Sequence, residues 1–198
     1  MVVTVVISGA SGSAYGMKLV ERLLHYGHEV SLIVTEAGAQ VMDFELEFAV
    51  PEVNAEPAVK RFLEAPEDSA LRLVDPTEIA DPLASGSNRV DAMVVCPASM
   101  GFIGSLAAGL ASDLPERAAD VMLKERRTLV LVPRETPLSL VHLRNMTALA
   151  EAGAVILPAM PAFYHKPRTL DDQVDFVVGK VLDAIGVEHD LFEPWSGP

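Results

Sequence analysis

Cysteine is nearly absent from this chain: Cys96 stands alone among 198 residues, which excludes an internal disulfide framework. No apolar run reaches bilayer-spanning length, and the opening Met1-Val2-Val3-Thr4 has neither the basic flank nor the cleavage pattern of a signal peptide. A cytoplasmic protein without a membrane segment is the simplest expectation. Repeats, low-complexity stretches and any His, Cys or acidic cluster at metal-ligand spacing are also missing, so no solenoid and no metal site is expected. Cations are scarce. Fifteen Lys and Arg against 28 Asp and Glu give a formal net charge of -13, the wrong sign for a general nucleic-acid binder, which must neutralise phosphates.

Apolar residues, by contrast, make up 50% of the chain. That supports a full core without metal or crosslink, and residues 1–198 are expected to form one domain with a C-terminal tail from about residue 187. The few cations are unevenly spread: Arg117, Lys124, Arg126, Arg127 and Arg134 fall within residues 117–134, whereas the first fifty residues hold only Lys18 and Arg22. One reading is a local anion site in an acidic protein. The other is a solvated helix face with i,i+4 pairs such as Asp120 with Lys124.

Residues 2–8 are β-branched almost throughout, which reads as a strand buried on both faces. The glycine-rich turn Gly9-Ala10-Ser11-Gly12-Ser13-Ala14-Tyr15-Gly16 leads into a helix to about His25. A strand from Glu29 to Val34 follows the stop at Gly27, and Thr35-Glu36-Ala37 opens another helix. This is a βαβ unit with a phosphate-binding turn. Prolines interrupt the stretch from Phe44 to Val90. A helix near Ala58 to Glu64, a strand near Leu71 to Val74 and a mobile loop at Ser85-Gly86-Ser87-Asn88 are expected there. Ala92 to Cys96 reads as a strand closed by Pro97, followed by a small-residue helix through Ala111. Pro115 starts a helix carrying Arg117, Lys124, Arg126 and Arg127. Then come a strand Thr128 to Val132, a helix from about Leu138 to Ala152, a strand Ala154 to Leu157, a proline-rich loop and a last helix, Leu170 to Ile185. The alternation predicts an α/β, three-layer, doubly wound Rossmann-like or flavodoxin-like fold on a mostly parallel sheet.

Ligands of such sheets sit at the carboxyl ends of the strands, and four loops there carry chemistry. Free N–H groups at the first turn suit an anion, and glycine lets a cofactor approach closely. A nicotinamide cofactor fits poorly, because Glu36 falls where the second strand already turns into a helix and no Tyr has Lys four residues on. A tight turn without a ligand is the bland alternative. Cys96-Pro97-Ala98-Ser99 offers backbone and hydroxyl donors, with Cys96 a buried thiol rather than a nucleophile and Ser99 equally a helix cap. In Pro133-Arg134-Glu135-Thr136-Pro137, Arg suits phosphate and Glu beside a phosphate can exchange protons; a surface ion pair is the alternative. Pro161-Ala162-Phe163-Tyr164-His165-Lys166-Pro167 can close over a ligand and present the Tyr164 hydroxyl.

Five motifs together, Ser8-Gly9-Ala10-Ser11-Gly12, Cys96-Pro97-Ala98-Ser99, Glu116-Arg117-Ala118-Ala119-Asp120-Val121 with Leu123-Lys124-Glu125-Arg126-Arg127, Pro133-Arg134-Glu135-Thr136-Pro137-Leu138 and Pro161-Ala162-Phe163-Tyr164, resemble those of the UbiX-type flavin prenyltransferases. These belong to a wider group of Rossmann-like flavin proteins that includes cysteine decarboxylases. The resemblance implies transfer of a dimethylallyl group from dimethylallyl phosphate to N5 and then C6 of reduced FMN, without a metal. Its product, prenylated FMN, would serve a UbiD-type decarboxylase. It further implies that Gly9, Ala10, Ser11, Thr35, Ser99, Met100, Gly101, Phe102 and Arg134 contact the flavin nucleotide. Lys124, Tyr164 and Lys180 would hold the prenyl phosphate, and Ser11, Glu135 and Lys124 would act in catalysis. A homo-oligomer as large as a dodecamer is implied, with sites at subunit contacts and the small-residue helix Gly104 to Ala111 as a contact.

That assignment makes physical sense. An allylic phosphate ionises only if cations stabilise the departing oxygens and a dry pocket shields the carbocation, and Phe192 and Trp195 could wall such a pocket. Two positions depart from the family pattern: Lys180 stands where Arg is usual, and Phe102 where a Thr often follows. They motivate an alternative, a non-catalytic FMN-binding or decarboxylase-associated subunit. A flavin-dependent cysteine decarboxylase is the other alternative, but its Pro-x-Met-Asn motif is not matched, because Pro158-Ala159-Met160 is followed by Pro161.

Overall fold

The computed structural model describes residues 1–198 except Glu52, Pro194, Ser196 and Pro198. Six parallel strands form one sheet: β1 (Val2–Ile7), β2 (Glu29–Val34), β3 (Leu71–Val74), β4 (Ala92–Ala98), β5 (Thr128–Pro133) and β6 (Val155–Ile156), in the order β3-β2-β1-β4-β5-β6. That order is the doubly wound one of Rossmann folds, with its switch point between β1 and β4. The helices are α1 (Ser13–His25), α2 (Glu36–Leu46), α3 (Ala55–Phe62), α4 (Met100–Ala107), α5 (Leu114–Lys124), α6 (Leu140–Glu151) and α7 (Leu170–Ile185).

The inner strands β1, β2, β4 and β5 are buried on both faces, and side-chain alternation sorts them into two cores. Val3, Val5, Ile7, Val94 and Val132 pack with residues of α1, α2, α3 and α7 on one face. Val6, Met93, Val95, Leu129 and Leu131 pack with α4, α5 and α6 on the other. The glycines Gly16 and Gly38 allow this closeness. A Cβ on Gly16 would lie 2.1 Å from the Cys96 carbonyl oxygen, and one on Gly38 would lie 2.3 Å from that of Ile7, so α1 and α2 press directly on strand ends.

Five expectations need correction. Strand β4 does not stop at Pro97 but runs to Ala98. A proline lacks only the N–H, and the Pro97 carbonyl accepts from Ser8 N at 3.2 Å. The small-residue helix ends at Ala107 rather than Ala111, and Gly109 follows in a left-handed conformation at φ 71°. Its Gly104 meets Asn145 of α6 in the same chain, 3.5 Å from where a Cβ would stand. Helix α5 ends at Lys124, and Arg126 is left-handed at φ 55°, so the basic run does not share one helix face. Asp120 pairs with Arg117 at 3.0 Å, not with Lys124. The loop at 85–88 is tied down: Arg127 donates to the carbonyls of Gly86 and Asn88, each at 2.7 Å.

Candidate active site

At the switch point the chain leaves β1 and β4 toward opposite faces, opening a crevice between their turns. Ser8, buried at 2% exposure, stitches the turns together. Its Oγ donates to the Pro97 carbonyl at 2.8 Å and accepts from the Ser99 N–H at 2.8 Å. Ser99 then caps α4 by accepting from Phe102 N at 3.2 Å, as Thr35 caps α2 by accepting from Gly38 N at 3.0 Å. Each capping hydroxyl keeps its own proton to donate. Gly9 admits α2, since a Cβ there would stand 2.6 Å from Ala37 Cβ.

Gly12, left-handed at φ 108°, turns the chain so that two N–H groups converge on one acceptor. That acceptor is Glu45 of α2, whose Oε2 takes Gly12 N at 2.9 Å and Ser13 N at 2.9 Å. Burial alone would raise this carboxyl. The Ser11 side chain and the two N–H groups outweigh burial and hold it below the ordinary value. A carboxylate thus already rests where an anionic ligand oxygen would, so the turn's donor set fits a phosphate. Reading the chain locally misses Glu45, which lies 33 residues beyond Gly12 in no motif.

Arg134 and Glu135 follow the carboxyl end of β5. Arg134 reaches back across β4, and its Nε donates to the Ser11 carbonyl at 3.0 Å. This joins the third loop to the first. Glu135 accepts from the Thr136 N–H at 3.0 Å and, with Arg134, Leu138, Met146, Ala159 and Met160, lines a cavity of about 290 Å³. Ala10 is buried, Met100 half-buried and Gly101 exposed beside these turns. The Phe102 ring, 7% exposed, belongs to the core on the α4 side, so what it can offer the crevice is backbone. Burial pushes the Cys96 thiol far up, in keeping with an inert side chain.

The remaining expected residues lie elsewhere. Tyr164 packs edge-on against Phe176 at 5.7 Å and Trp195 at 5.6 Å, and it shares with Lys180 and the C-terminal segment a pocket of about 700 Å³. Lys124 ends α5, before β5 begins, so it sits at the amino edge of the sheet. The six residues of β5 at about 3.3 Å each put roughly 20 Å between it and Glu135. There it pairs with Glu125 at 2.6 Å. One chain therefore brings Ser11, Arg134 and the Ser99 turn together, and Tyr164 with Lys180. It does not bring Lys124 to either group.

A switch-point crevice whose first turn holds a carboxylate on two N–H groups defines the site of a nucleotide-binding α/β protein. A model of the family described as Flavoprotein matches residues 1–182. The flavin prenyltransferase UbiX of Halalkalibacterium halodurans is 47% identical over 193 residues, covering 98% of this chain and 92% of that protein. The crystal structure of AnUbiX (PadA1) in complex with FMN and dimethylallyl pyrophosphate superposes with a TM-score of 0.88 at 37% identity, covering 98% and 97%. A dodecameric FMN-dependent UbiX-like decarboxylase from Escherichia coli O157:H7 gives 0.87 at 38%, covering 100% of both chains. The chain belongs to the Flavoprotein family and, within it, to the UbiX-type flavin prenyltransferases.

Proposed function

We propose that this protein transfers a dimethylallyl group from dimethylallyl phosphate to reduced FMN, making prenylated FMN for a UbiD-type decarboxylase. The observation that carries the reading is the Arg134 Nε contact with the Ser11 carbonyl at 3.0 Å. It ties the loop that carries Glu135 to the first turn, which Ser8 in turn ties to the Ser99 turn, in a chain that matches a flavin prenyltransferase over 98% of its length.

Gly9, Ala10, Ser11, Thr35, Ser99, Met100, Gly101, Phe102 and Arg134 hold the flavin nucleotide through backbone N–H groups, hydroxyls and the guanidinium. When bound and reduced, the flavin supplies the nucleophilic N5 and C6. Ser11 and Glu135 hold and move protons beside the acceptor nitrogen and the leaving phosphate. Tyr164, Lys180 and Lys124 stabilise the charge that builds on the departing phosphate oxygens. The apolar wall of Leu138, Met146 and Met160 at Glu135 excludes water from the carbocation.

Because Lys124 lies at the opposite sheet edge from Glu135, and Tyr164 and Lys180 line a pocket separate from that of Glu135, the working site is assembled from neighbouring copies in a homo-oligomer. Soluble, cytoplasmic action follows from this reading. An anaerobic assay tests it: purified protein, reduced FMN and dimethylallyl phosphate are mixed and the flavin is weighed by mass spectrometry. A prenyl mass increase is expected. FMN that is bound but never gains that mass would sink the reading in favour of a non-catalytic flavin-binding subunit.

A further inference from the structure

The segment after α7 is fastened to that helix by a run of contacts ending at Lys180. Gly179 is the seat: a Cβ there would lie 2.5 Å from Phe192 Cε1 and 2.7 Å from His189 Cε1, so glycine lets both rings rest on the helix backbone. The His189 side chain is 6% exposed, and its two nitrogens have opposite duties. Leu191 N donates to Nδ1 at 3.3 Å, which places the ring proton on Nε2, and Nε2 donates to Asp183 Oδ1 at 3.2 Å. The other carboxylate oxygen, Oδ2, accepts from Lys180 Nζ at 2.7 Å. A second tie runs from the Tyr26 hydroxyl to Asp190 at 3.2 Å. Burial by itself would raise the Asp183 carboxyl, but the hydrogen bond and charge of Lys180, together with His189, hold it below the ordinary value. It stays ionised at neutral pH.

Resting on the prenyl-transfer reading, we propose that Asp183 and His189 are positioning residues for Lys180. The docked segment fixes His189, His189 fixes Asp183, and Asp183 holds the ammonium at the pocket that Lys180 shares with Tyr164. An ammonium has three N–H donors; Asp183 takes one and leaves two for phosphate oxygens. A lysine on its flexible stem loses rotamer freedom when it grips a ligand, and one already held loses less. The need for holding is visible in the pocket wall, which also contains Glu188, Asp190 and Glu193. An unheld ammonium would pair with those carboxylates instead of waiting for a phosphate.

The test is a calorimetric titration of full-length protein loaded with oxidised FMN, which binds dimethylallyl phosphate without turnover on this reading. Asp183→Asn and His189→Ala are each expected to weaken binding roughly three- to tenfold, the cost of immobilising one long side chain. His189→Gln, whose amide can still donate to Asp183, recovers most of that loss. Combined with Lys180→Ala, Asp183→Asn adds little further, because it acts through Lys180. FMN affinity and melting temperature, measured alongside, separate these effects from misfolding. Binding by Asp183→Asn that equals or exceeds wild type overturns the proposal, as does a full additive penalty in the double variant or no loss in Lys180→Ala. The parent reading fails differently, by wild-type protein that binds the phosphate yet forms no prenylated flavin. A wild type that does not bind it overturns both.

Discussion

Glu45, resting on the first turn, and Glu135, just after β5, are both carboxylates, but their surroundings assign them different work. Glu45 is held ionised by the N–H groups of Gly12 and Ser13. Its folded carboxyl lies below the unfolded value of 4.5, so the stabilisation is complete above that value and is lost as pH falls through the folded one. Glu45→Gln should therefore cost about 1 kcal/mol at pH 7 and flatten the acid limb of stability, as read by denaturant melts between pH 7 and pH 3. Among the described residues, Glu135 accepts only from its neighbour's N–H at 3.0 Å, beside a cavity lined largely by apolar side chains. Glu135→Gln should keep FMN binding and lower turnover by roughly a hundredfold or more, the usual worth of a proton-transfer group. Unchanged turnover in the mass assay would remove it from the mechanism.

Among the elements, a glycine inside α1 and one just past the end of α4 show how position decides the cost of the same change. Gly16→Ala puts a Cβ 2.1 Å from the Cys96 carbonyl oxygen, where α1 crosses β4 and neither backbone can yield. A loss of about 3 kcal/mol or more is expected. Gly109→Ala meets nothing within 4 Å and suffers only its φ of 71°, at about 1 kcal/mol. Parallel thermal melts should rank the two in that order, and equal melts would mean that α1 is not pressed on the strand. The strand and helix bounds near the site were legible beforehand because their signals are local. Glu29–Val34, Leu71–Val74 and Leu170–Ile185 fall where β-branched runs and helical spacing put them. The end of β4 was not, because a proline reads as a stop until a neighbouring Ser8 uses its carbonyl. The loop at 85–88 reads as mobile for the same reason: Arg127, which ties it down, is about forty residues away.

Across the whole molecule, the expected site residues divide into a switch-point group, a Tyr164–Lys180 group and Lys124 at the far sheet edge. A subunit-shared site predicts complementation. Lys124→Ala and Tyr164→Phe proteins, each of low activity alone, should regain activity when dissociated and reassembled together. Random mixing leaves up to roughly a quarter of two-subunit sites intact. No recovery, or a native mass equal to the single chain, would confine the site to one copy. The net charge of -13 also bears on this scale: a phosphate approaches an acidic surface, so the local cations must be held where they act.

Periodicity and turn chemistry, which depend on near neighbours, were enough to set the alternating strands and helices, the parallel sheet, the anion-binding turn and the placing of Arg134 and Glu135 at a strand's carboxyl end. Contacts between distant segments needed the packed molecule. Glu45 rests on the first turn, Ser8 joins two strand ends, Lys124 is carried away from Glu135 by the direction of α5, and the C-terminal segment reaches Lys180 through Gly179 and His189. The reason is physical: local conformation follows from each residue and its close neighbours, whereas these pairings exist only once buried faces have fixed how the elements lie against one another.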